Sequence, residues 1–260
     1  MRLVRYRWGS EPVGWGRVEG NLVELLEGSP LEAVGTAPTG TWLALDQLRL
    51  LAPTEPTKVI GVGRNYPAHA AEHQAPVPEQ PLIFLKPPSA VVGPGEPIVL
   101  PPLSEQVEHE GELAVVIGRR GRNIPEAAAP AHVLGYTAAN DVTARDLQRR
   151  DPQWTRGKGF DSFCPMGPWL ETELDLEAVR VSCSVNGELR QEGEAGEMVF
   201  SVPHLIAFIS SVMTLEPGDV ILTGTPAGVD RLADGDEVVV EVEGVGRLVN
   251  PVRTSPGAAG

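Results

Sequence analysis

From Lys58 onward the chain carries short, nearly unbroken apolar runs, KVIGVG, PLIFL, ELAVVIG and DVILTG, rich in Val and Ile and bounded by Gly, Pro or charged residues. Runs this short predict strands covered on both faces, because neither face has to be polar. The tail EVVVEVEGVGRLVNPV alternates instead, with Val238, Val240 and Val242 ahead of Gly244. That period of two predicts a hairpin with one wet face. Before Lys58 the segments LVRYRW, VGWGRV and NLVELL are shorter and mixed, with turn signals at Gly9–Ser10 and Gly28–Ser29–Pro30. They predict a small strand-rich N-terminal unit, followed by the linker-like APTEPT. Helical signals are confined to Pro67–Glu72, Ile124–Ala131, Ala144–Arg149 and Pro203–Val212, so β-structure should dominate an α+β fold. The expected division is a small N-terminal α/β unit over residues 1–52 and a main domain over residues 53–260.

Composition narrows the function classes. The 260 residues suffice for a sizeable core, and 42% hydrophobic with 22% charged residues is the ordinary globular range. A net charge of -14, with no clustered basic run, opposes binding to nucleic acid. No stretch reaches the roughly 18 apolar residues of a membrane span, and MRLVRYRW lacks the apolar core of a signal peptide. A cytoplasmic protein is expected. Cys164 and Cys183 show no metal-ligand spacing and are expected to be inert core thiols. Basic residues comprise 18 Arg and only three Lys, at positions 58, 86 and 158. Genomic base composition and heat adaptation both produce such a skew.

In VEHEGELAVVIG, the carboxylates of Glu108, Glu110 and Glu112 lie two apart ahead of an apolar strand, which projects them from one face. Side by side they raise one another's pKa, and a cation would relieve the repulsion. Asp141, in GYTAANDVTARD, follows another apolar segment whose end could bring a third carboxylate to the same place. An all-oxygen donor set favours Mg2+, Mn2+ or Ca2+ over zinc. On spacing alone, the solvated face of an edge strand is the commoner explanation, and Glu108 is expected to face outward in either case.

His69 and Glu72 in NYPAHAAEH are three apart, on one face of a helical turn, where the carboxylate can orient an imidazole acting as general base. A surface His beside a surface Glu has the same spacing. Lys158 in RGKGFDSF sits between glycines that let a ligand come close, and its ammonium could stabilise an enolate or a carboxylate. In LTGTPAGV, Gly224 and Gly228 bracket a turn from which Thr225 could offer its hydroxyl and its backbone N–H to an anionic oxygen.

The pattern ExEL before VVIG, with NDVTARDLQ at residues 140–148, resembles the fumarylacetoacetate hydrolase family. GVGRNYPAHAAEH, PLIFLKPPSAVVGPGEPI, RGKGFDSFCPMGPWL, VNGELRQEG and GDVILTGTPAGV resemble it in the same order, over about residues 58–252. The resemblance implies a mixed β-sheet roll, commonly a homodimer, with residues 53–260 as the catalytic domain. It implies that Glu110, Glu112 and Asp141 hold Mg2+ or Mn2+, that His69 and Glu72 form a catalytic dyad and that Lys158 assists. His73 does not match the dyad. Arg145 and Gln148 fall on substrate-contacting positions, Thr225 is expected to bind substrate from its turn, where a plain turn between strands is the alternative, and Lys86 matches a family position without an evident role. APVPEQP after the dyad is consistent with a lid. The implied activity is on a small dicarboxylate or 2-oxo acid, foremost isomerisation of 2-hydroxyhepta-2,4-diene-1,7-dioate-type acids in aromatic catabolism, with decarboxylation as a possible addition. Acylpyruvate- or fumarylacetoacetate-type hydrolysis, oxaloacetate decarboxylation or tautomerisation, and a non-catalytic binding role are the alternatives.

Overall fold

The computed structural model describes residues 1–32 and 36–255, so the ends of the expected main domain at 256–260 lie outside it. A 12-stranded mixed sheet runs in the order Ala37–Ala44, Leu22–Glu27, Gly14–Glu19, Arg2–Arg7, Cys164–Glu171, Val133–Asn140, Gly111–Ile117, Val220–Leu222, Val59–Gly63, Leu82–Lys86, with two short strands beside it. Neighbours along this path are antiparallel except Val220–Leu222 and Val59–Gly63, which run parallel. The N-terminal segment joins the same sheet through Leu3, paired with Leu170. Among its described residues it holds strands and one 3-10 turn, Leu45–Gln47, and no α-helix, so its expected α/β character is corrected to all-β.

The apolar runs are strands buried on both faces. In Gly111–Ile117, Ala114 and Val116 pack with Val59, Leu222 and Met166 on one side. Val115 and Ile117 face the other side, under Leu205, Ile206 and Ile209 of the helix Val202–Val212. That helix starts at an N-cap, Ser201, whose hydroxyl accepts from the His204 N–H, with Pro203 in its first turn. Of the other expected helices, Pro67–Glu72 and Arg145–Arg150 form, whereas Glu126–His132 winds as 3-10 helix. Pro130 inside that segment has no N–H for an α-helical bond.

A second sheet, in the order Glu188–Glu194, Arg180–Val185, Glu237–Val242, Gly246–Thr254, Ile98–Leu100, covers the first. Leu113, Ala138, Val181, Cys183, Val240 and Leu248 form the core between them. The tail forms the expected hairpin, Val240 opposite Leu248, yet Val239 is buried together with Val238 and Val240, so the wet face is reduced to the Glu positions. Both cysteines are fully buried, and burial pushes each thiol up to about 12, which keeps them inert.

Candidate active site

Strand register brings the carboxylates together. The ladder between Gly111–Ile117 and Val133–Asn140 ends at Gly111 opposite Asn140. Just beyond it the Asp141 N–H donates to the Glu110 carbonyl at 2.8 Å, and the Glu110 N–H donates to Asn140 Oδ1 at 2.9 Å. Glu110 and Asp141 are thereby held side by side, and Glu112, two residues into the strand, projects from the same face. Ligand oxygens of the three lie within 4.8 Å of one another, and all three residues are buried.

Cations compensate most of this charge. Lys158 Nζ lies 2.7 Å from Glu110 Oε2 and 2.6 Å from Asp141 Oδ2. Lys86 Nζ lies 2.5 Å from Asp141 Oδ1 and donates also to the Val142 carbonyl at 3.2 Å. Arg145 binds Glu110 and, at 2.6 Å, Glu108. Burial alone would raise the Glu110 carboxyl, but Lys158 and Arg145 hold it well below the usual carboxylate range. Among the described residues Glu112 accepts only the Gly224 N–H, at 2.7 Å, and forms no ion pair, Lys158 acting on it from a distance. Burial, followed by Asp141 and Glu110, pushes its carboxyl well above that range.

Four buried carboxylates thus face three cations, and the cluster lacks positive charge beside Glu112. A hard divalent cation among Glu110, Glu112 and Asp141 fits this donor set, since each carboxylate oxygen keeps a lone pair beyond its ammonium or guanidinium partner. It would also leave the cluster with one net positive charge, suited to a single carboxylate of a ligand.

Glu108 differs from expectation. It belongs to the separate two-residue strand Val107–Glu108 and points inward to Arg145, only 5% exposed, as an anchor rather than an outward neighbour.

His69 and Glu72 share the turn Pro67–Glu72, with Nδ1 3.3 Å from Glu72 Oε2. Glu72 is itself fixed by the Gly228 N–H, which donates to Oε1 at 3.1 Å. Gly228 has φ +103°, and a Cβ there would sit 2.0 Å from the Arg190 carbonyl oxygen, so only glycine fits. Burial lowers His69 to about 4, against an opposing pull from Glu110, and its imidazole is neutral at pH 7.

One cavity of about 470 Å³ is lined by His69, Glu72, Glu110, Glu112, Asp141, Arg145, Gln148, Lys158 and Thr225. All nine site residues expected from the sequence therefore converge. Their availability differs. Arg145 is engaged by Glu108, Glu110 and, through its Nη1, Gln148 Oε1 at 2.7 Å. The Thr225 hydroxyl donates to the Gly111 carbonyl at 2.8 Å and accepts from Gln191 Nε2 at 2.7 Å, so it is not free to donate to an anion as expected. Its backbone N–H, without a partner among the described residues, remains.

Sequence reasoning assigned no role to Lys86, Gln191, Phe84 or Trp154. Phe84 lies under Lys158, with Nζ 4.9 Å from the ring centroid, and packs edge-on against Trp154. It reaches there because Gly61 is bare, a Cβ on which would stand 2.2 Å from the ring. The overlooked signal for Lys86 was scarcity: in a chain with three lysines, all three form ion pairs with carboxylates less than 10% exposed, and two of them are in this cluster. A compact ammonium fits where a guanidinium fork does not.

Comparison with known proteins places this geometry among relatives. The family model described as fumarylacetoacetate (FAA) hydrolase C-terminal matches residues 58–253, and the model described as Rv2993c-like, N-terminal matches residues 1–53. The crystal structure of 2-hydroxyhepta-2,4-diene-1,7-dioate isomerase from Mycobacterium marinum is 42% identical, with a TM-score of 0.91 over 98% of this chain and 99% of that one. Human mitochondrial oxaloacetate tautomerase FAHD2A is 48% identical over 223 residues, 81% of this chain and 71% of its own length. Maleylpyruvate hydrolase from Sphingobium sp. SYK-6, solved with manganese (II) ion and pyruvate, is 31% identical with a TM-score of 0.80, over 98% of this chain and all of its own.

Proposed function

Because the chain belongs to the fumarylacetoacetate hydrolase family and is an enzyme, we propose that it is a divalent-metal-dependent isomerase of 2-hydroxyhepta-2,4-diene-1,7-dioate-type acids. One observation carries this reading: a neutral, carboxylate-anchored imidazole shares a single cavity with a buried carboxylate trio that lacks one cation. Mg2+ or Mn2+, held by Glu110, Glu112 and Asp141, would supply Lewis acidity toward the substrate's carboxylate and neighbouring 2-oxygen.

The chain's own residues do the rest. Lys158, buried between Glu110 and Asp141, keeps its proton: burial lowers its pKa, but the two carboxylates raise it by more. Its ammonium faces the cavity and offsets negative charge developing on the 2-oxygen. The Thr225 N–H offers a second donor to an anionic oxygen. His69 moves the proton. In the isomerisation the 2-hydroxyl loses its proton, the 2-carbonyl and a C3–C4 double bond form, and a proton is added at C5. Glu72, clamped by Gly228, keeps the imidazole in the orientation that exchange needs and stabilises it when protonated. Phe84 and Trp154 give the diene an apolar wall.

A second reading, keto–enol tautomerisation of oxaloacetate, is favoured by the identity to the human tautomerase and uses the same proton transfer on a shorter acid. The test is to strip the purified protein with EDTA and assay a panel of 2-oxo and 2-hydroxy-enoate acids with and without Mg2+ or Mn2+. Metal-dependent isomerisation of the seven-carbon diacid is expected. Faster turnover of oxaloacetate would give the second reading, and turnover indifferent to metal would overturn both.

A further inference from the structure

His73 lines the same cavity and the proton transfer does not use it. It follows His69 by four residues and Glu72 by one, so PAHAAEH places two imidazoles and a carboxylate on one side of a helical turn. The His69 and His73 rings lie 4.7 Å apart, nearly perpendicular, and one ligand atom from each of His69, Glu72 and His73 lies within 4.8 Å of the others. His73 Nε2 is buried and has no hydrogen-bond partner among the described residues. We propose that His69, Glu72 and His73 form a second metal site, distinct from the carboxylate trio, which takes a borderline divalent transition ion such as Zn2+ and inhibits the enzyme when filled.

The chemistry separates the two sites. The carboxylate trio presents only oxygen, which suits Mg2+ or Mn2+, whereas two imidazoles and one carboxylate form the His2Glu set that suits zinc. Zinc needs the imidazoles neutral. Burial lowers both pKa values, the more strongly that of His69, so protons do not compete for the ring nitrogens at neutral pH. Glu72 is already held by Gly228, which reduces the ordering needed on binding. The neighbouring cations Arg145, Arg149 and Lys158 oppose an incoming ion, and Glu108 and Glu110 offset them. Bonds of about 2.0–2.1 Å at tetrahedral angles require donor atoms about 3.3 Å apart. The turn must therefore contract by an ångström or so, which side-chain rotation of His73 at the exposed helix end can supply.

Inhibition follows because the ion occupies the lone pair that His69 needs. That consequence rests on the isomerase reading and its use of His69 as proton carrier; binding itself does not. The test uses the full-length protein loaded with Mg2+, titrated with Zn2+ while turnover is followed, and in parallel with Co2+ while visible absorption is followed. Expected are inhibition by Zn2+ that added Mg2+ does not relieve and a tetrahedral Co2+ spectrum. His73→Ala and His73→Gln should weaken both by more than about tenfold, at least the size that even outer-shell ligand changes produce. Both variants should keep Mg2+-supported turnover and the circular dichroism of the parent. Zinc inhibition relieved by Mg2+ would assign the ion to the carboxylates and overturn the proposal. Zinc sensitivity in the two variants equal to that of the parent, or a Co2+ spectrum unaffected by them, would overturn it as well. If no substrate turns over, the isomerase reading fails while the Co2+ titration still decides the site.

Discussion

Glu112→Gln isolates the charge deficit from everything else in the site. Glutamine keeps an oxygen to accept the Gly224 N–H, now at 2.7 Å from Glu112, and removes only the charge. In the metal-free wild type this carboxyl, raised well above the usual range by burial and by Asp141 and Glu110, either stays ionised without an ion pair or takes up a proton, and both states cost stability at neutral pH. A buried group lacking its partner costs about 1–3 kcal/mol. Each kcal/mol moves the melting temperature of a chain this size by about 2–4 °C. In EDTA the variant should therefore melt several degrees above wild type, although most substitutions destabilise. With a divalent ion the order should reverse. At a free ion concentration of about 100 Kd, binding stabilises by about 2.7 kcal/mol, or about 5–10 °C. The variant, missing one of three ligands, should lose most of that gain. Differential scanning fluorimetry in EDTA and in Mg2+ reads both arms. If wild type melts above Glu112→Gln in EDTA, or if Mg2+ raises both equally, the three carboxylates are not a metal site short of one cation.

Three further outcomes follow from the same geometry. His69 has a folded pKa of about 4 against 6.5 when free, so the unfolded chain takes up a proton that the folded one refuses; stability is complete above pH 6.5 and falls as pH drops toward 4, by about 3 kcal/mol at the limit. Urea unfolding should show this loss in wild type and not in His69→Asn, and the acid limb of kcat/KM should lie below 6.5; a limb at 6.5 would place a different group, or an exposed imidazole, in the role. Gly228→Ala should displace the loop that anchors Glu72 and lower kcat/KM on the order of 10–100-fold with fold retained by circular dichroism, a result that unchanged kinetics would refute. Lys86→Arg overfills a 1% exposed site and should cost about 1–3 kcal/mol, whereas Lys58→Arg, whose side chain is 21% exposed, should stay within about 1 kcal/mol; chemical denaturation of the two variants side by side compares them, and equal losses would remove the distinction.

Local sequence determined a good deal. Unbroken Val/Ile runs give strands covered on both faces because burial is their only favourable state, and Gly111–Ile117 and Val59–Gly63 follow from that alone. The i, i+3 spacing of His69 and Glu72 on a turn opened by Pro67 likewise fixes their neighbourhood through backbone geometry. Resemblance across several motifs supplied what spacing could not, the grouping of Glu110 and Glu112 with Asp141.

Three things were decided only by tertiary structure. The inward turn of Glu108 depends on Arg145 arriving from another element, 37 residues on. The Thr225 hydroxyl is taken up by Gly111 and Gln191, partners that chain distance hides. Lys86, at the end of the edge strand Leu82–Lys86, meets Asp141, which follows the strand Val133–Asn140, although three strands separate the two along the sheet. The physical reason is common to all three. Periodicity reports which face of an element meets the core, whereas the charge state and free donors of a buried group depend on which distant groups meet it there. Those meetings are set by strand order and register, which no local pattern encodes.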